Sequence, residues 1–166
     1  MVFCQGRRKV RRVTLLVSAI GVVLLLVNGV ALAAEFDGTP EADTFVGTLN
    51  PDEIRGNGGN DTLSGAGASD FVRGDSGNDR VSGNAGGDEL RGDFGNDRLL
   101  GGGGPDTIRT DDRGTDTVIA GTGNDVVEAQ GDLGVDTIDC GDGTDTVDFD
   151  AGVDVVADNC ENQDPH

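Results

Sequence analysis

Thirteen aspartates recur along the chain at near-constant spacing: Asp43, Asp52, Asp61, Asp70, Asp79, Asp88, Asp97, Asp106, Asp116, Asp125, Asp136, Asp145 and Asp154. Carboxylates that return every nine residues are equipped to bind a hard cation through oxygen. They are poorly equipped for nucleophilic chemistry, because the only histidine is the terminal His166. Carboxylate pairs also serve glycoside hydrolysis, but here the spacing accounts for every aspartate and none stands out as catalytic. There is no G-x-G-x-x-G, no G-x-x-x-x-G-K-[ST] and no EF-hand loop. The chain is therefore read as a binding protein and not an enzyme.

The aspartates belong to a nonapeptide. The segments Gly56–Ser64, Gly65–Arg73, Gly74–Ser82, Gly83–Arg91, Gly92–Leu100 and Gly101–Arg109 are in phase, and Gly38–Val46 and Gly47–Arg55 precede them. Asp111–Ile119, Ala120–Glu128, Gly131–Asp139, Cys140–Asp148 and Phe149–Ala157 follow, with Thr110 and Ala129-Gln130 inserted. Position six is Asp and position eight apolar in all thirteen, while Gly holds position one in nine and position four in ten. A disordered acidic chain has no reason to keep such a period. The glycines permit turns in which backbone oxygens approach an ion closely. The three residues that follow each Asp are too few for a helix and fit a short strand with one inward apolar side chain.

This pattern resembles the G-G-x-G-x-D-x-U-x nonapeptide of RTX proteins, the haemolysin-type calcium-binding repeats, over nearly the whole chain after residue 34. The resemblance implies an all-β fold, a parallel β-roll (a β-helix solenoid) in which two nonapeptides make one coil. It also implies Ca²⁺ as the partner, held between stacked turns by the thirteen aspartates and by turn carbonyls. Oxygen-only turns suit Ca²⁺ better than Mg²⁺, which demands strict octahedral geometry, or Zn²⁺, which prefers nitrogen and sulfur. The pattern departs at both ends. Glu41 and Asn50 replace the position-four Gly, and Asp111, Ala120, Cys140 and Phe149 replace the position-one Gly, so calcium ligation is expected to thin out there.

One small apolar side chain per nine residues is little to set against the entropy of ordering nine residues, and stacked aspartates repel. The expectation is a chain that folds when Ca²⁺ binds, so that binding energy becomes folding energy. The alternative is an acidic chain that binds calcium weakly and stays disordered.

Residues 1–34 read as a secretory signal peptide. Arg7, Arg8, Lys9, Arg11 and Arg12 precede an apolar stretch from Val13 to Val30, and Ala31-Leu32-Ala33 offers a small-x-small cleavage pattern. The competing reading is an uncleaved membrane anchor. Residues 35–157 would form the roll, and 158–166 a tail carrying Cys160. From Glu35 onward there are 31 acidic and 7 basic residues, a net charge of −24, which repels nucleic acid and anionic lipid. Two cysteines, Cys140 and Cys160, remain in this part. An even count in an exported chain suggests a disulfide, worth about 3 kcal/mol in the chain-entropy model. The alternatives are free thiols or metal ligands, and no nearby His or further Cys would complete a soft site.

The expected function is calcium binding outside the cytoplasm, secreted or at the cell surface, in a structural or buffering role. An adhesin or matrix interaction protein using the roll as a platform is the alternative. An ice-binding solenoid would need an unbroken row of Thr at position seven, and Glu53, Arg80, Glu89 and Arg98 interrupt it.

Overall fold

The computed structural model describes residues 14–15, 33–110, 113–131 and 134–166. Residues 1–34, read above as a signal peptide and carrying Cys4, lie almost wholly outside the described residues. Among the described residues the elements are all strands. They are β1 (Thr14–Leu15), β2 (Glu35–Asp37), β3 (Thr44–Val46), β4 (Glu53–Arg55), β5 (Thr62–Gly67), β6 (Phe71–Ser76), β7 (Arg80–Ala85) and β8 (Glu89–Phe94). Then come β9 (Arg98–Gly103), β10 (Thr107–Arg109), β11 (Thr117–Gly123), β12 (Val126–Ala129), β13 (Thr137–Gly143), β14 (Thr146–Phe149), β15 (Val155–Val156) and β16 (Asn162–Pro165). No helix of the described residues is long and apolar enough to cross a membrane.

From β2 onward, alternate strands go to alternate sheets. One sheet runs β1-β2-β4-β6-β8-β10-β12-β14-β16 and the other β15-β13-β11-β9-β7-β5-β3, and the pairings are parallel. The register places position eight over position eight one coil away, as Leu63 over Val81 and Val72 over Leu90. This is the β-roll that the repeat predicts. Two nonapeptides make one coil, with a strand on each face and a turn at each edge. We call the turns leading into β3, β5, β7, β9, β11, β13 and β15 the first edge, and the turns leading into β4, β6, β8, β10, β12, β14 and β16 the second.

A three-residue strand can point only its middle side chain inward. Ile54, Leu63, Val72, Val81, Leu90, Leu99, Ile108, Val118, Val127, Ile138 and Val147 accordingly fill the slot between the sheets and are fully buried. At the N-terminal end the rings of Phe36 and Phe45 stack with centroids 4.3 Å apart and close the stack. At the other end the tail is not loose. It supplies β16, whose exposed polar residues pair with β14 and cap the last coil. The two insertions enlarge the coil, so stacked aspartates are 18 residues apart through Asp106, 19 across Thr110, 20 across Ala129-Gln130 and 18 again from Asp136 to Asp154.

On the outward face of the larger sheet Arg55, Arg73, Arg91 and Arg109 stand in register on successive strands. Each is tied to a carboxylate: Arg55 to Glu53, Arg73 to Asp75 and Asp93, Arg91 to Glu89, and Arg109 to Glu89 and Glu128. Exposed pairs of this kind contribute little individually, but they keep a column of like charges tolerable.

The position-four glycines bring the coils together. Gly77 has φ +139°, and a Cβ on it would stand 1.5 Å from the Gly59 carbonyl oxygen one coil earlier. Gly58, by contrast, has nothing nearer than 3.6 Å and no positive φ. Gly77→Ala is therefore expected to destabilise the folded chain by roughly 2–4 kcal/mol, from backbone strain together with overpacking. Gly58→Ala should be nearly neutral. Denaturant unfolding in saturating Ca²⁺ measures both, and equal midpoints would contradict this account of the turns.

Candidate metal centre

The repeat puts each Asp at the junction of turn and strand, where its side chain turns inward under the turn. From Asp52 to Asp145 these residues are at most 5 % exposed. They form two rows. The first edge carries Asp43, Asp61, Asp79, Asp97, Asp116, Asp136 and Asp154, and the second carries Asp52, Asp70, Asp88, Asp106, Asp125 and Asp145. In both rows the main-chain N–H of each Asp donates to Oδ1 of the Asp one coil later, over 2.7 to 3.0 Å. The structure thus brings the thirteen predicted site residues into two continuous rows.

The second oxygen divides them. In Asp61, Asp70, Asp79, Asp88, Asp106, Asp125 and Asp145, Oδ2 is buried with no hydrogen-bond partner. In four others the chain satisfies it. The Thr39 N–H and hydroxyl donate to Asp43 Oδ2, the Thr48 N–H to Asp52 Oδ2, and the Asp150 N–H to Asp154 Oδ2. The inserted Thr110, itself buried, donates its hydroxyl to Asp136 Oδ2 over 2.7 Å. The aspartates whose Oδ2 is engaged thus lie at the two ends of the roll and opposite the inserted Thr110.

The orphaned oxygens face space that glycine leaves open. A Cβ on Gly56 would meet Asp61 Oδ2 at 2.2 Å and the carbonyl oxygen of Gly74, one coil later, at 2.5 Å. At Gly101 the corresponding atoms are Asp106 Oδ2 at 2.4 Å and the Ala120 carbonyl oxygen at 2.3 Å. Position-one glycines thus hold open a pocket lined by a carboxylate of one coil and a carbonyl of the next. Among the described residues no three or more His, Cys, Asp or Glu side chains converge on one point, so an ion here must draw on main-chain oxygens. Hard oxygen donors of mixed carboxylate and carbonyl type fit Ca²⁺.

Electrostatics agrees with the geometry. Burial raises Asp61 and Asp70 to about 6, although the N–H donated by the preceding Asp opposes the shift and the neighbouring carboxylates of the row add to it. Asp106 is raised to about 7 for the same reasons. Burial likewise raises Asp79, Asp88 and Asp125. These groups resist carrying a negative charge in a dry turn without a counter-charge.

Two residues of the site escaped the sequence reading. Glu161 accepts the Asp145 N–H through Oε2 at 2.9 Å and so continues the second-edge row. It falls 16 residues after Asp145, short of the period, and only the pairing of β16 reveals its place. Thr110 looked like a bare insertion, and no periodic signal marks its hydroxyl. The remaining cysteines are joined as expected, with Cys140 bonded to Cys160 and their Cα atoms 5.3 Å apart. His166 lies against Asp148, its Nε2 2.8 Å from Oδ1, away from both rows.

A raised folded-state pKa means that the folded chain holds protons which the unfolded chain releases between about pH 4 and pH 7. In chelator, stability should fall as pH rises through that window, because deprotonation favours the unfolded chain. With Ca²⁺ present the dependence should reverse, since protons compete with the ion for the same oxygens. Asp106→Asn should stabilise the metal-free chain at pH 8 by about 1–3 kcal/mol, by removing a buried charge, while lowering calcium uptake. Far-UV circular dichroism at pH 5 and pH 8, with chelator and with Ca²⁺, measures this. A β signal in chelator that grows as pH rises would contradict it.

The family described as RTX calcium-binding nonapeptide repeat matches the chain in four copies, over residues 37–72, 73–108, 110–132 and 128–156. No curated protein and no solved structure matches the chain. The matched residues include the glycine-opened turns and both rows of aspartates, so sequence pattern and fold lead to one assignment. The chain belongs to the RTX calcium-binding nonapeptide repeat family.

Proposed function

We propose that the part of the chain from Glu35 onward is an extracellular module that folds when calcium binds. The observation that carries this reading is the pair of rows of buried aspartate oxygens without donors. In this reading Ca²⁺ enters between successive turns. On the first edge it is met by Asp61, Asp79, Asp97 and Asp116, and on the second by Asp70, Asp88, Asp106 and Asp125, with carbonyls such as those of Gly74 and Ala120 completing the shell. Asp52, Asp136 and Asp154 have both oxygens engaged by the chain, Asp43 has its Oδ2 engaged, and these four stand at the margin of this set. An ion supplies the counter-charge that lets the carboxylates of a row stay ionised side by side. The chain's own contribution is to hold their oxygens at one depth and exclude water.

Export is supported by the break in composition at Glu35 and by the Cys140–Cys160 disulfide, which suits an oxidising compartment. The roll itself is a structural calcium-binding fold, and its role is read as structural or buffering. Leu49 and Phe94 are exposed but lie on opposite edges of the roll, and the structural or buffering role is preferred to the adhesin alternative.

Far-UV circular dichroism of the purified chain during Ca²⁺ titration, with Mg²⁺ as control, tests the proposal. The expected result is a cooperative gain of β signal with Ca²⁺ alone, reversed by chelator. A spectrum unchanged by chelator would sink calcium-driven folding.

A further inference from the structure

On the second edge the position-one column reads Gly47, Gly65, Gly83, Gly101, Ala120 and Cys140. The first four leave open the oxygen-lined space described above. At Gly83, for example, a Cβ would meet Asp88 Oδ2 at 2.2 Å and the Gly101 carbonyl oxygen at 2.8 Å. The last two carry side chains and are completely buried. The register sets Gly102, Gly121 and Gly141 over one another, so Gly101, Ala120 and Cys140 follow in line.

Cys140 interrupts an otherwise complete motif. Residues 140–145 read C-G-D-G-T-D, which departs from G-G-x-G-x-D only at its first residue. The turn keeps the repeat's geometry, with positive φ at Gly141 and Gly143. The next turn of this edge, in the tail, brings Cys160 to Cys140 and Glu161 to the Asp145 N–H. The tail is thus a shortened fourteenth segment. Its carboxylate stands in the row, and its cysteine meets the residue that should be the cradle's glycine.

We propose that the final junction of the second edge is a calcium site converted into a covalent one. The Cys140–Cys160 bond joins two successive turns where an ion joins the turns of earlier coils, and Glu161 is the carboxylate that the converted site keeps. This rests on the calcium reading above. It assigns the disulfide a role beyond closing a loop: it holds the end of the stack together whether or not calcium is present. It also assigns Glu161 a place among the potential ligands that periodicity does not give it.

The test is to convert the junction back. Calcium ions bound to the full chain are counted by native mass spectrometry in excess Ca²⁺, with circular dichroism on the same samples. Cys140→Gly with Cys160→Ser restores G-G-x-G-x-D and should bind one ion more than the parent. Adding Glu161→Gln, which keeps an acceptor for the Asp145 N–H but loses the charge, should remove that extra ion. Cys140→Ser with Cys160→Ser breaks the bond without restoring the glycine and should match the parent's count. An unchanged count in the glycine variant overturns the inference, and so does failure of that variant to gain β signal in calcium. A parent that binds no calcium overturns the calcium reading and this inference with it, and the parent sample alone reveals that case.

Discussion

Each inward aspartate of the roll sets one oxygen against a main-chain N–H, and Asp61, Asp70, Asp79, Asp88, Asp106, Asp125 and Asp145 leave the other in a dry turn with no donor. A buried charged acceptor in that state costs several times what an ordinary hydrogen bond contributes. The cost recurs in every coil, and the next carboxylate of the row lies one strand spacing away, near 4.8 Å. Only a proton or a cation relieves it. The raised affinity of Asp61, Asp70 and Asp106 for protons and the family's affinity for calcium are two responses to one deficit.

Other features follow from accommodating that deficit. Glycine stands at positions one and four because a side chain would collide with oxygens of its own or the adjacent coil. Since so much of each nonapeptide is turn, only one apolar residue remains per strand, and the core is a single file of aliphatic side chains. Where the chain satisfies its own carboxylates it uses Thr39, Thr48, Thr110 and the Asp150 N–H, at the two ends of the roll and at the first insertion. The arginine column on the larger sheet plays a similar part on the outside, meeting surface carboxylates that the buried rows leave untouched.

The period of nine made the roll, its parallel sheets and its inward residues legible, because a repeat with one apolar position and one fixed carboxylate has few ways to stack. The two rows of aspartates were legible for the same reason. What the period could not show was which carboxylates keep an empty oxygen. That depends on residues that break the pattern: Thr110 reaches Asp136 across 26 residues, and Thr39 and Thr48 serve their own turns. Glu161 was invisible because the tail drops residues from its turn and has Gln163 where an apolar residue would mark a strand. Its place emerges only from the pairing of β16 with β14. The cysteine pair was legible by count, whereas its position at the mouth of a turn was not.

The inserted residues have a further consequence. Between Gly56 and Arg109 successive coils are nearly alike, so a strand that docks one coil too early or too late would still find aliphatic residues and aspartates opposite it. A wholly uniform array would therefore have many almost equivalent ways to close. The coils that contain Thr110 and Ala129-Gln130 are longer, and their turns match only their true neighbours: the Thr110 hydroxyl meets Asp136, and the Gln130 amide meets Asp148. They act like the irregular teeth of a key. A slipped arrangement would leave these contacts unmade and misalign the cysteines. The irregular coils thus give an otherwise degenerate stack a single alignment, and they do so at the end of the chain where the covalent bond can lock it.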